Sequence, residues 1–398
     1  MKPVWIYPTI LTTILFFGQA YSQTPADLMK LLVQKGAITQ KEADSIRQDY
    51  SNRKRNQEIQ EDSFPLSLGR LLRLSGYTQV RFQDFQQKGK PDGFDIRRAR
   101  LDFQGDFSTK WNYRLLIDFV GASGATGGAP TGGALIAPTL FDAFIAYKPF
   151  PFIKIQAGQF ILPLSQENLI QDRNLELIDR SQVVNALVAR KGDISNGLVD
   201  SIGNQNGRDI GVQLSGSLIQ LKDGDLLDYY LGLFDGAGIN TVDNNESKDI
   251  CARIVLHPFK GLSLGSSYYN GFDRFTSSLA KDQERIRWGA DLSYSGSRLG
   301  LRTEYLQGQE GNENPIRHQG WYAQGTYFIV ARHLQGIFRY DSYNPNEEKA
   351  KQTNTYYVFG MNYFFNVWTK VQVNYSWRTE SGPVLDNDVI TIQLQLAF

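Results

Sequence analysis

The chain has a single cysteine among 398 residues, which excludes an internal disulfide framework. Cys251 alone cannot form a CxxC redox pair or a thiolate zinc site. The three histidines, His257, His318 and His333, have no i, i+4 partner and no carboxylate framework, so the sequence supplies no zinc ligand set. Charge of one sign is also lacking. Lys and Arg number 42 against 41 Asp and Glu, and losing Lys2 with the leader described below brings the balance to zero. Bulk attraction to nucleic acid is thereby excluded. Mean hydropathy is −0.36, and long hydrophobic runs are absent beyond the extreme N-terminus. A helical membrane bundle needs several runs of roughly 20 apolar residues, so that class is ruled out. No nucleophile motif stands out among the many serines. The acidic run Asp243–Glu246 lacks the glycine and the terminal glutamate spacing of a calcium loop. The glycine-rich stretch 121–133 is followed by neither Lys-Ser/Thr nor a helix, so it reads as a flexible loop rather than a phosphate cradle. No catalytic residue, metal or cofactor is expected, and the chain is not read as an enzyme.

What is present begins with a leader. Lys2 precedes an apolar stretch through Phe17, and small residues stand at Ala20 and Ser22, the pattern of a secretory signal peptide cleaved near Ser22. Residues 23–63 follow as a separate segment. Leu28, Leu31, Leu32 and Val33 form an apolar helical patch, Gly36 breaks it, and Thr39 to Glu42 resembles a capping box. The remainder is wholly polar and fits a short coiled coil, a mobile arm or a poorly ordered linker.

From residue 64 the hydrophobic period becomes two. Aromatics make up 13% of the chain and glycines number 37, a composition that favours strands and turns. Leu72, Leu74, Val80 and Phe82 alternate with Arg73, Ser75, Gln79 and Arg81; Ala99, Leu101 and Phe103 alternate with Arg98, Arg100 and Asp102. Sixteen such segments are legible, near 71–86, 94–106, 112–119, 139–147, 152–160, 207–216, 228–235 and 248–256. The second eight lie near 262–270, 285–293, 299–307, 319–328, 333–341, 353–363, 368–378 and 388–398. Their connections alternate between tight and long, with 217–227 as a middling exception where a tight one is expected. An up-and-down transmembrane barrel has this asymmetry, with short periplasmic turns and long external loops.

A soluble β-sandwich also alternates. Against it stand three observations. No linker divides the 64–398 region, aromatics recur at strand ends (Tyr147, Phe150, Trp321, Tyr363, Trp368), and the last strand alternates Ile390, Ile392, Leu394 and Leu396 before a terminal Phe398. The fold class expected is therefore all-β, a 16-stranded antiparallel barrel in the outer membrane of a Gram-negative bacterium, inserted by machinery that reads the ending at Phe398. Its apolar alternates face lipid and its polar alternates face the lumen.

That assignment places Arg73, Arg81, Arg98, Arg100, Arg114, Arg285, Arg287, Arg298 and Arg302 on the pore wall. Lys154, Arg253, Arg339, Lys370 and Arg378 join them, against nine inward acids. Excess guanidinium favours anions, because its planar fork matches carboxylate and phosphate oxygens. The same alternation also fits a network of Arg–Asp pairs that only braces the wall. The 46-residue connection 161–206 is too long for a surface loop and is expected to fold into the channel as a constriction, contributing Arg173, Arg180 and Arg190. It carries more acids than bases. The pore selects anions if those acids point at the wall and those arginines at the lumen.

Four stretches carry a family resemblance. They are FDIRRARLDFQGDF (94–107), FDAFIAYKPFPFIKIQAGQFILPLSQE (141–167), RDIGVQLSG (208–216) and YYLGLFDGAGIN (229–240) with DNNESKD up to Asp249. Together they resemble the phosphate-selective porins O and P. The resemblance implies trimeric sixteen-stranded channels that pass small anions such as phosphate, some with a helical periplasmic segment before the barrel. On this chain it makes Arg98 and Arg100 pore-lining, with Arg81 facing the same lumen. The constriction loop departs from the selective members in lacking a dense ladder of basic residues. A passive diffusion channel with mild anion preference is the leading reading. A plugged, non-conducting barrel whose long loops serve as an adhesin or scaffold is the alternative.

Overall fold

The computed structural model describes residues 33–35, 39, 42, 66–67, 69–120, 138–189, 207–221, 224–243, 245–273, 282–312, 314–382 and 385–398. It divides into two units, Met1–Phe64 and Pro65–Phe398. In the first, Thr39 and Glu42 complete a reciprocal capping box. The Thr39 amide donates to Glu42 Oε2 at 2.8 Å and the Glu42 amide donates to Thr39 Oγ1 at 3.3 Å. These bonds from Thr39 hold the exposed Glu42 carboxyl below its ordinary value. The expected signal peptide, the rest of the 23–63 segment and the stretch 121–133 lie outside the described residues.

The second unit opens with the two-residue β1 (Leu66–Ser67), which pairs with the start of β2. Sixteen longer strands follow: β2 (Arg73–Phe85), β3 (Gly93–Asp106), β4 (Trp111–Asp118), β5 (Thr139–Phe150), β6 (Ile153–Ile161), β7 (Arg208–Leu221), β8 (Gly224–Phe234) and β9 (Asp249–Leu256). The remainder are β10 (Leu262–Asp273), β11 (Gln283–Ser295), β12 (Leu299–Glu310), β13 (Ile316–Val330), β14 (Leu334–Asn344), β15 (Asn354–Phe364), β16 (Thr369–Glu380) and β17 (Val389–Ala397). Each pairs antiparallel with its chain neighbour, and β17 pairs antiparallel with β2, setting Leu394 opposite Val80. The sheet therefore closes as a 16-stranded barrel. The middling connection resolves as tight, because β7 runs to Leu221 and β8 begins at Gly224.

Closure depends on the chain end. The backbones of Gly76 and Phe398 exchange two hydrogen bonds of 2.9 Å. A Cβ at Gly76 would lie 2.6 Å from Phe398 Cζ, so the terminal ring fits only over a glycine.

Side chains sort inside-out relative to a globular protein. Along β17, Gln393 and Gln395 are 1% and 4% exposed, while Ile392 and Leu394 are 42% and 49% exposed. Period-two alternation produces this sorting, since it gives each strand one polar and one apolar face. Aromatic rings band the outer face. Near the long-loop end Trp321, Tyr340, Tyr357 and Trp377 follow one another with centroids 4.7, 5.5 and 5.1 Å apart. At the tight-turn end Trp111 lies 4.5 Å from Tyr147 and Phe150 stacks on Phe152 at 5.4 Å.

Two of the sheet's register shifts bear on the interior. Gln79 pairs with Arg98 but Val80 with Ile96, which leaves Arg97 as an extra residue in β3. Leu116 pairs with Asp142 but Ile117 with Leu140, which does the same for Phe141 in β5. A bulge turns two consecutive side chains to one face. Here both re-aim residues into the barrel.

Candidate functional site

The long connection from β6 to β7 enters the barrel, and its described part, Leu162–Ala189, is held there by three kinds of contact. The first is apolar. Val183, Val184, Leu187 and Val188 form one buried cluster with Phe160, Phe234, Cys251, Tyr269, Leu306, Tyr322 and Tyr343. The wall makes room with inward glycines. A Cβ at Gly308 would lie 3.1 Å from Leu187 Cδ2, and one at Gly360 would lie 2.6 Å from Leu177 Cδ2. An inner face that is polar throughout, as the alternation predicts, is thus corrected at positions from β6 to β14, where the wall answers the loop's own apolar side chains.

The second contact is a belt of wall side chains bonded to the loop backbone. Asn374 Oδ1 accepts from the Ile178 amide at 2.8 Å. Asn362 and Gln372 donate to the Glu176 carbonyl at 2.7 and 2.9 Å, and Lys370 donates to the Leu175 carbonyl at 2.8 Å. These bonds satisfy an irregular backbone inside the barrel, where unpaired carbonyls and amides would each be costly.

The third is ionic. All four described carboxylates of the loop meet wall arginines. Glu167 reaches Arg339 at 3.3 Å, Glu176 takes both ends of the Arg302 fork at 3.0 and 3.1 Å, and Asp179 lies 3.0 Å from Arg97 and 3.9 Å from Arg81. Asp172 collects three guanidiniums: Arg98 Nε at 3.1 Å, Arg100 Nη1, and Arg180 Nη1 from the loop itself. Burial acts to raise the Asp172 carboxyl, but Arg180, Arg98 and Arg100 outweigh it and hold it well below the ordinary carboxylate range.

Around Asp172 the sector from β3 to β7 gathers an arginine cluster. Arg100 Nε lies 2.6 Å from Asp118, Arg114 bridges Asp102 at 2.8 Å and Asp142 at 3.0 Å, and Arg208 Nε lies 2.6 Å from Asp142. The bulged Phe141 packs its ring against two of these cations, 4.4 Å from Arg100 and 5.0 Å from Arg208. Between the loop and this wall runs a cleft of about 20 Å³, room for about one water. Toward the tight-turn end the space widens to cavities of about 290 and 870 Å³. Six arginines (98, 100, 114, 173, 180 and 208) meet four aspartates (102, 118, 142 and 172) around this cleft, a surplus of two positive charges.

The other sequence-chosen residues scatter. Arg73 is half-exposed at the tight-turn end, 2.9 Å from Asp106, and Arg81 is buried, 2.5 Å from Asp95. Arg285 and Arg287 are buried on β11, where Arg287 donates to Glu310 at 2.7 Å. Arg298 is a correction: it lies exposed in the turn before β12 rather than on the wall, because β12 begins only at Leu299. It still lines the 290 Å³ cavity beside Arg302. Arg173 lines the narrow cleft half-buried, with no carboxylate in ion-pair range among the described residues. Arg190 lies outside the described residues. Arg253 forms a two-bond pair with Asp291 at 2.6 and 2.9 Å. Arg378 lies 4.8 Å from the Tyr356 ring, and Lys154 lies 5.8 Å from the Phe144 ring. Sequence reasoning missed Arg97 and Phe141, which a strict period of two points outward, and Arg208, which shares the parity of the outward Val212 and Leu214 yet is buried at the start of β7.

Comparison with known proteins adds an independent result. Residues 73–259 and 266–398 match the family described as phosphate-selective porin O and P. No curated protein matches the chain. Among solved structures, an anion-selective porin from Comamonas acidovorans superposes with TM-score 0.60 at 10% identity, covering 82% of this chain and 99% of that one. The outer membrane channel DcaP of Acinetobacter baumannii gives 0.56 at 13%, covering 84% and 99%. The trimer form of OmpT from Vibrio cholerae gives 0.55 at 12%, covering 82% and 99%. At such identities the likeness is one of fold.

Proposed function

The chain belongs to the phosphate-selective porin O and P family, and from that membership we propose that it is a passive outer-membrane channel for small anions, phosphate-like solutes among them. One observation carries the preference for anions, the surplus of two guanidiniums around the cleft between the inserted loop and the barrel wall. In support, the four described carboxylates of the loop face wall arginines and Arg173 lines the cleft, while Arg180 is itself held on Asp172. A fixed positive surplus in a water-filled constriction raises the local anion concentration and lowers that of cations.

The same reading covers the surroundings. The exposed aliphatic belt and its aromatic bands fit a lipid environment. Signal-peptide removal near Ser22, a periplasmic 23–63 segment, homotrimeric assembly and insertion through the ending at Phe398 belong to the proposal as well. OmpT is described in a trimer form, which supports the assembly. Transport needs no catalysis and no cofactor on this reading.

A planar-bilayer recording in a potassium chloride gradient tests it. The zero-current potential should lie on the anion side, and a cation-side value would refute the reading. The plugged-barrel alternative draws on the narrowness of the 20 Å³ cleft and predicts no conductance steps.

A further inference from the structure

We propose that Asp172 is an intramolecular competitor for its own arginine socket, and that a doubly charged oxyanion opens the constriction by displacing it. This rests on the anion-channel reading and adds how the loop responds to solute.

The socket is built like a ligand site whose ligand is a side chain. Arg98, Arg100 and Arg180 are 5%, 6% and 6% exposed and converge on one carboxylate that is itself 4% exposed. Tyr77 and Gln79 fix two of the three forks, accepting from Arg100 at 2.9 Å and from Arg98 at 2.8 Å. Asp118 on β4 is the other carboxylate touching this group, 2.6 Å from Arg100 Nε. Three guanidiniums against Asp172 and Asp118 leave one positive charge. Lifting Asp172 out leaves two, which a tetrahedral dianion neutralises, and such an anion also has more acceptor oxygens than the two of a carboxylate. Glu167, Glu176 and Asp179 repeat the theme, each seated on a wall arginine. The Asp172 socket differs in bringing three cations to one acceptor.

Asp172 holds the site through its tether, and the loop's other anchors keep it at an effective concentration that a solute dianion must match to win. Chloride, with a single charge and no fixed geometry of acceptor oxygens, competes less well.

The experiment is a single-channel recording of the full chain with inorganic phosphate titrated against chloride at equal ionic strength and mildly alkaline pH. Wild-type protein should switch between two conductance levels, with occupancy of the upper level rising and saturating in phosphate and flat in chloride. In Asp172→Asn the half-saturating phosphate concentration should fall at least about tenfold, because the competitor is gone. Methyl phosphate in a parallel arm distinguishes a phosphoryl ester from free phosphate as the displacing species; a response to either supports the mechanism. Wild-type conductance indifferent to both, or a phosphate response identical in Asp172→Asn, overturns it. The wild-type titration stands by itself if the variant does not fold. A channel that prefers anions yet fails this test keeps the proposed function and loses only the competitor; a channel that prefers cations loses the proposed function first.

Discussion

Replacing Leu187 by alanine should loosen the constriction loop while leaving the barrel intact. Leu187 is 0% exposed and sits against the notch left by Gly308 on β12, within the apolar cluster that anchors the loop's last described turns. Buried Leu→Ala changes typically cost about 3–5 kcal/mol, the sum of lost transfer energy and an unfilled cavity. Here the cost falls on the seated state of the loop, since no ladder hydrogen bond of the wall involves Leu187. Taking about 3 kcal/mol, the ratio of seated to unseated loop drops by roughly 150-fold. That is enough to turn a rare excursion into a populated state. In planar bilayers Leu187→Ala should show a higher or noisier conductance than the parent. Its resistance to unfolding by heat in detergent, which reports the closed sheet, should stay within a few degrees. The reasoning fails if conductance is unchanged while the barrel itself melts early, because the loop would then be a structural part of the wall rather than a separately seated element.

Three other expectations follow from the geometry. Reversing both Arg98 and Arg100 to glutamate changes the local balance from two positive to two negative charges, so the zero-current potential should move to the cation side. Gly360→Val places atoms where Leu177 Cδ2 now lies, 2.6 Å from the added Cβ, with Ile337 Cβ behind at 3.2 Å. Overpacking of about 1–3 kcal/mol should lift the Leu177 segment and raise conductance, and a conductance equal to the parent's would count against the seat. The third expectation concerns acid. Because the folded-state Asp172 carboxyl is depressed, its contribution to seating is complete above the ordinary carboxylate pKa and is lost only as pH falls through the depressed value. The difference in conductance between wild type and Asp172→Asn should therefore hold steady from neutrality to about pH 4 and shrink only in stronger acid. A difference that instead titrates between about pH 5 and 7 would contradict the assignment.

The barrel was legible because one rule, apolar residues on every second position, holds for strand after strand. The ends of β2 and β17 and the tight turns other than that between β7 and β8 were recoverable from it. The interior was less so, for two physical reasons. A bulge inserts one residue and shifts the phase, and Arg97 and Phe141 are invisible to a strict period for that reason. The loop also brings its own chemistry into the lumen. Phe234, Tyr269, Leu306 and Tyr322 face inward because Val184 and Leu187 cover them, a long-range relation that no local pattern encodes. Arg298 misled in the opposite sense, as its place in the alternation continued past the strand end into a turn. The ion pairs show that the two readings of the arginines are compatible: Arg114 braces β3, β4 and β5 through Asp102 and Asp142, and the cluster it belongs to still carries a net positive charge.

The seating of the loop also gives Cys251 an experimental use. This thiol is 0% exposed and shares its cluster with Val184 and Leu187, so a small alkylating reagent in the channel reaches it only after those side chains depart. As the chain's sole sulfhydryl, it forms a built-in reporter whose modification rate, read by intact mass, clocks how often the passage is unguarded without any label being engineered.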